Sequence, residues 1–119
     1  MAKILVVGDL PANRALVVTL VGHSGHEALE ATDGAEALAV VRAERPELVI
    51  SDILMPTMDG YEFVRQLRND PELAATQVIF CSAHYHEQEA RSLAQACGVT
   101  QVLIKPCEPQ DILAAIERA

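Results

Sequence analysis

Ile4-Leu-Val-Val7 and Leu48-Val-Ile50 are apolar at every position and do not alternate with polar residues. Strands of that kind are covered on both faces, which predicts a parallel sheet held between two layers of helices. Working outward, five short runs rich in Val, Ile and Leu have strand length: Lys3 to Val7, Glu27 to Ala31, Leu48 to Asp52, Gln77 to Cys81 and Gln101 to Ile104. Helical spacing of apolar residues fills the intervals, most plainly at Ala90, Leu93, Ala94 and Cys97, then at Ile112, Ala115, Ile116 and Ala119. The last helix is expected to reach the chain end. Punctuation agrees with this order. Pro11 and Pro109 suit first-turn positions, Asp33 precedes Gly34 at a helix start, and Gly25 and Gly98 follow helices where a left-handed cap is required. The reading is a doubly wound three-layer α/β domain in which β-α repeats five times.

The chain has 119 residues, 50% of them hydrophobic and 22% charged, which suits one globular domain over residues 1–119. Such a length buries roughly two thirds of the surface exposed by the unfolded chain, so disulfides or metals are not needed to hold it. Seventeen acidic residues oppose nine basic ones for a formal net charge of -8. Scattered Lys and Arg do not build the basic face that nucleic acid requires, and no nucleic-acid partner is expected. The apolar run at Ile4 to Val7 is soon broken by Asp9, leaving neither a secretory core nor a membrane span. The expected location is the cytoplasm, with no membrane partner. Cys81, Cys97 and Cys107 lack a C-x-x-C pairing and read as reduced structural thiols.

In open parallel sheets, ligands gather outside the carboxyl ends of the strands. Strand 1 leads into Asp9, strand 3 ends in Asp52, strand 4 in Ser82 and strand 5 in Lys105. Each alone has an ordinary structural use as a cap, a turn residue or a solvated charge. Together they put two carboxylates, a hydroxyl and an ammonium on one edge, where oxygen ligands suit Mg²⁺ beside a nucleophilic carboxylate.

Ile4-Leu-Val-Val-Gly-Asp-Leu-Pro11, Asp52-Ile-Leu-Met-Pro-Thr-Met-Asp-Gly60, Cys81-Ser-Ala83 and Ile104-Lys-Pro106 resemble, in order, the signatures of the response regulator receiver domain. The resemblance covers the whole chain. It implies a flavodoxin-like, receiver-type sheet with strand order 2-1-3-4-5 and five helices. It also implies transfer of a phosphoryl group to Asp52 from a phosphohistidine on a histidine kinase or histidine phosphotransfer protein, with a downstream effector reading the product. By the same resemblance Asp9, Asp52 and the Leu54 backbone carbonyl hold Mg²⁺ or Mn²⁺, Ser82 and Lys105 stabilise the phosphoryl group, and Lys105-Pro106 is a cis peptide. Such a chain assists its own phosphorylation and dephosphorylation and is not a turnover enzyme on a separate substrate.

Two positions depart from that pattern. The pair of acidic residues after strand 1 is reduced to Gly8-Asp9, which predicts a weakly bound metal. The aromatic residue three positions before the strand 5 Lys is Val102, so a ring switch is absent. His84 lies two residues past Ser82, bordering the path of hydrolytic water in this family, and reads equally as a solvated loop histidine. The H-x-H of His84 and His86 has no second ligand pair near it and does not make a zinc site. His23 and His26 read as turn residues beside Gly25.

Three alternatives share parts of this reading. A pseudo-receiver would bind partners constitutively, with metal-dependent phosphorylation lost through Gly8. A flavin-binding protein of flavodoxin type needs a Ser/Thr/Gly-rich phosphate loop after strand 1, where this chain has Asp9-Leu-Pro-Ala-Asn13. An aspartate-dependent phosphohydrolase needs its nucleophile after strand 1 and a cap domain.

Overall fold

The computed structural model describes residues 2–53, 55, 57–82, 87–99, 101–104 and 108–119. Strands β1 (Lys3–Val7), β2 (Glu27–Ala31), β3 (Leu48–Asp52), β4 (Gln77–Ser82) and β5 (Gln101–Ile104) alternate with helices α1 (Pro11–His23), α2 (Gly34–Glu44), α3 (Gly60–Asn69), α4 (Glu87–Ala96) and α5 (Pro109–Arg118). All neighbouring strands are parallel, in the order β2-β1-β3-β4-β5. Val7 pairs with Ala31 on one side and Ser51 on the other, Asp52 pairs with Cys81, and Ser82 with Ile104.

The unbroken apolar runs follow from this layering. Leu5, Val7 and Val49 enter one core with Leu38 and Val41 of α2, Phe63 and Leu67 of α3, and Ala94 of α4. Ile4, Val6 and Ile50 enter the other, with Leu20 and Val21 of α1 and Ile112 and Ile116 of α5. Successive strand residues point to opposite faces, so a strand with a core on each side must be apolar throughout.

Helix ends lie where their residues dictate. Asp33 and Asp59 accept from the backbone N–H of Glu36 and Glu62, each at 2.9 Å, satisfying first-turn donors of α2 and α3. Pro11 and Pro109 open α1 and α5. Gly25 (φ +83°) and Gly98 (φ +73°) turn the chain after α1 and α4 in the left-handed region.

Three expectations shift slightly. β4 runs one residue further, to Ser82. α5 stops at Arg118, and exposed Ala119 caps it by donating its N–H to the Ile116 carbonyl. In α4, Ala94 is 1% exposed but Leu93 is 41% exposed, since the inward direction falls on one side of the apolar stripe. Cys81 is buried and Cys97 half-buried, neither of them in a disulfide with another described residue; Cys107 lies outside the described residues.

At the amino edge of the sheet, Arg68 at the end of α3 ties two loops together. It donates Nε to the Cys97 carbonyl (3.0 Å), Nη1 to the Ala74 (3.0 Å) and Thr76 (2.7 Å) carbonyls, and Nη2 to the Gly98 carbonyl (3.3 Å). Burial pulls its guanidinium down from the ordinary value.

Candidate functional site

The strand order makes β1 and β3 neighbours in the middle of the sheet, so Gly8, Asp9 and Asp52 emerge together at its carboxyl edge. Gly8 is buried, Asp9 exposed and Asp52 half-buried. A Cβ built on Gly8 falls 2.8 Å from Asp52 Oδ2, which shows how closely the carboxylate approaches the end of β1. Gly8 continues the β1–β2 ladder by donating its N–H to the Ala31 carbonyl at 3.1 Å. Its carbonyl accepts from Arg14 Nη1 at 2.7 Å, and Arg14 Nε meets Glu30 Oε1 at 3.0 Å.

The connection from β3 to α3 folds back onto Asp52. Gly60 N–H donates to the Ile53 carbonyl at 2.7 Å, and a Cβ on Gly60 would lie 2.5 Å from the Asp52 carbonyl oxygen and 3.1 Å from Ile53 Cα. Only a residue without a side chain permits that approach. The Asp52 carbonyl accepts from the hydroxyl of Ser51, the one buried polar residue among the described residues, at 2.7 Å. From the other side, Gly34 N–H donates to the Met58 carbonyl at 3.0 Å, so the first residue of α2 supports this loop. Thr57 within it stands at φ +69°, a region that a β-branched residue enters at a cost. Leu54 and Pro56 lie outside the described residues.

On the far side, the Ser82–Ile104 pairing brings the ends of β4 and β5 to the same edge. The Ser82 side chain, Lys105 with its expected cis bond to Pro106, and the loop carrying His84 and His86 lie outside the described residues. Val102 is 8% exposed, opposite Phe80 in the register, and belongs to the core that holds Phe63 and Phe80. Its position is therefore one of packing, facing the layer of α3 and α4.

Among the described residues no group of three or more His, Cys, Asp or Glu forms a metal cluster. What Asp9 and Asp52 present is a pair of carboxylates, an all-oxygen donor set that suits a hard cation and not zinc. Arg14, Thr57 and the support of Met58 by Gly34 are features that sequence reasoning did not single out. Arg14 and Thr57 carry no local pattern that marks them, while Gly34 was visible only as the residue after a helix cap.

Residues 4–117 match the response regulator receiver domain family. Protein PilH of Pseudomonas aeruginosa is 32% identical over 116 residues, spanning 98% of this chain and 95% of that protein. Sensor protein EvgS of Escherichia coli is 35% identical over 104 residues, 87% of this chain but 8% of EvgS. Among solved structures, chemotaxis response regulator CheY4 of Vibrio cholerae has a TM-score of 0.91 at 34% identity, covering 99% of this chain and 98% of CheY4. A parallel sheet of order 2-1-3-4-5, a carboxylate at the end of its central strand and a family match over nearly the full length agree: the chain belongs to the response regulator receiver domain family of two-component signalling.

Proposed function

We propose that residues 1–119 form a single phosphoacceptor receiver domain that takes a phosphoryl group onto Asp52 from the phosphohistidine of a histidine kinase or histidine phosphotransfer protein. An Asp52 carboxylate oxygen attacks phosphorus, the new P–O bond forms as the P–N bond breaks, and the histidine nitrogen leaves with the electron pair. The observation carrying this reading is the setting of Asp52, half-buried at a strand end against Gly8, beside Asp9, and backed by the loop that closes at Gly60. Asp9, Asp52 and the Leu54 carbonyl would hold Mg²⁺ or Mn²⁺, which would supply charge neutralisation for the transferring group. Lys105 contributes a fixed positive charge and Ser82 a hydroxyl donor to the phosphoryl oxygens. Contacts with an effector then change through the loop after Ser82 and α4, with Val102 offering no ring to reorient. His84 modulates hydrolysis at most. The domain is a signalling module and not a turnover enzyme. No helix among the described residues is long and apolar enough to cross a membrane, and we place its action in the cytoplasm without nucleic acid or membrane partners.

Incubation with acetyl phosphate and Mg²⁺ followed by intact-mass measurement tests this reading. One phosphoryl group is expected on the wild type and none on Asp52→Asn; equal mass gain in both overturns the assignment. Gly8 supports a second reading, that of a constitutive interaction module, which a folded wild type showing no Mg²⁺-dependent gain would favour.

A further inference from the structure

Asp9 is the exposed member of the carboxylate pair, and it sits on a short connection between β1 and α1 that follows a glycine. Something must hold that connection for its carboxylate to be useful. Arg14 grips its start: the side chain donates to the Gly8 carbonyl at 2.7 Å, while the connection's far end is set by the first helical bond of α1, from the Arg14 backbone N–H to the Leu10 carbonyl at 3.0 Å. We propose that Arg14 is a positioning residue for Asp9, acting through the Gly8 carbonyl, with Glu30 orienting the guanidinium.

The Gly8 carbonyl and the Asp9 amide belong to one planar peptide unit, so fixing the oxygen fixes the plane from which Asp9 springs. Gly8 itself offers no side-chain restraint, and a glycine peptide reorients more readily than any other. Its N–H is already committed to the Ala31 carbonyl, and β2 ends at Ala31. The guanidinium therefore supplies the bond that a longer β2 would have made. Arg14 suits the task because its side chain is only 16% exposed, which limits competition from water for a charge-assisted bond. Glu30 holds Nε at 3.0 Å while remaining 52% exposed, so the fork is aimed without burying a second charge. Glu30 also offsets the positive charge that would otherwise oppose a nearby cation.

The inference rests on the reading of Asp9 as a metal ligand, and three variants with two readouts separate the two ideas. Arg14→Lys keeps the charge but loses the fork; Arg14→Met loses both. In each folded variant, judged by circular dichroism, amide exchange at Gly8 without metal or phosphodonor is expected to rise about tenfold, because the last ladder bond of β1 is no longer braced. By calorimetric titration, the Mg²⁺ dissociation constant of Arg14→Lys is expected to rise five- to tenfold, roughly the loss of one weak charge-assisted bond. Unchanged Gly8 exchange in both variants overturns the proposal. So does tighter Mg²⁺ binding by Arg14→Met with unchanged binding by Arg14→Lys, which would mean that Arg14 acts by charge alone. Asp9→Asn supplies the remaining arm: if it leaves Mg²⁺ affinity intact, Asp9 is not a ligand and the function attributed to Arg14 falls with it, whereas weakened binding in Asp9→Asn with none in Arg14→Lys overturns the positioning role only.

Discussion

The Asp52 carboxylate leans against the end of β1 so closely that a methyl group on Gly8 would lie 2.8 Å from its Oδ2. Residue 8 therefore acts on the Asp52 carboxylate, the proposed acceptor, in two ways, by the room it leaves and by the charge it lacks. The obstructing atom ends a short side chain, so a substitution there moves the carboxylate and leaves the backbone alone.

Gly8→Asp is expected to tighten Mg²⁺ binding. A carboxylate about 5 Å from a cation at an effective dielectric near 20 interacts by roughly 3 kcal/mol per unit charge pair. After desolvation and screening, a net gain of about 1–2 kcal/mol, or five- to thirtyfold in dissociation constant, is the expected result. Without metal, three crowded carboxylates repel, and the melting temperature should fall. Gly8→Ala adds the steric push without the charge and should not reproduce the tightening. Titration calorimetry and thermal melts on the three proteins check this; equal Mg²⁺ affinity in wild type and a folded Gly8→Asp would show that residue 8 does not set the strength of the site.

Thr57 stands at φ +69° and is exposed, so it bears a backbone cost with little packing in return. Asparagine enters this region far more readily than a β-branched residue. Thr57→Asn should stabilise the fold by about 1 kcal/mol and raise the melting temperature by roughly 3–6 °C. A melting temperature at or below that of the wild type in calorimetry would contradict the assignment of strain.

Removal of Arg68 should be costly, because four backbone carbonyls from two loops converge on one guanidinium. Arg68→Met should lower stability by about 2–3 kcal/mol, read as a lower urea midpoint with an unchanged slope. Arg68→Lys should recover less than half of that loss, since an ammonium cannot present the planar fork.

Burial pushes the Cys97 thiol above its ordinary value, with the nearby Arg68 and Arg65 guanidinium groups pulling the other way. The folded state thus holds this proton to higher pH than the unfolded chain does, so stability declines as pH rises above the ordinary thiol range. Below that range both states are protonated and the contribution is complete. Denaturant midpoints for wild type and Cys97→Ala should run parallel near pH 7 and diverge above about pH 8.5, with the wild type losing more. Parallel curves up to pH 10 would exclude a raised thiol.

The layering was legible because two strands had to satisfy two cores at once, and Ile4 through Val7 cannot be read any other way once alternation is missing. Asp33 and Pro109 were legible because caps act within one turn of their own position. The carboxyl edge was legible in outline, since the residues that end parallel strands share an edge. Other features were not. Thr57 and Arg45 both adopt positive φ, yet neither residue type announces it, and the loop geometry around each decides the matter. Arg68 finds its carbonyls up to 30 residues away, and Arg14 finds Glu30 sixteen residues away. Such partners exist only after the sheet has formed. His26 was read as a turn residue, but its Nδ1 accepts the Ala2 N–H at 3.1 Å, a contact that depends on β2 lying beside β1.

The support of the β3–α3 loop by α2 bears on which substitutions the molecule can accumulate. A Cβ on Gly34 would meet the Met58 carbonyl oxygen at 2.7 Å, before Met58 Cγ at 2.8 Å and Cβ at 3.0 Å. Even Met58→Gly, which removes both side-chain obstacles, leaves the nearest, because every residue at position 58 carries a backbone oxygen. Position 34 is thus closed to larger residues whatever its neighbour becomes, and no second-site change at 58 rescues it. Position 8 obeys the opposite rule: its obstacle is the tip of the Asp52 side chain, so what is acceptable at 8 depends on what stands at 52. The two glycines around one site therefore have different genetic characters, one a fixed requirement and the other one half of a pair able to change together.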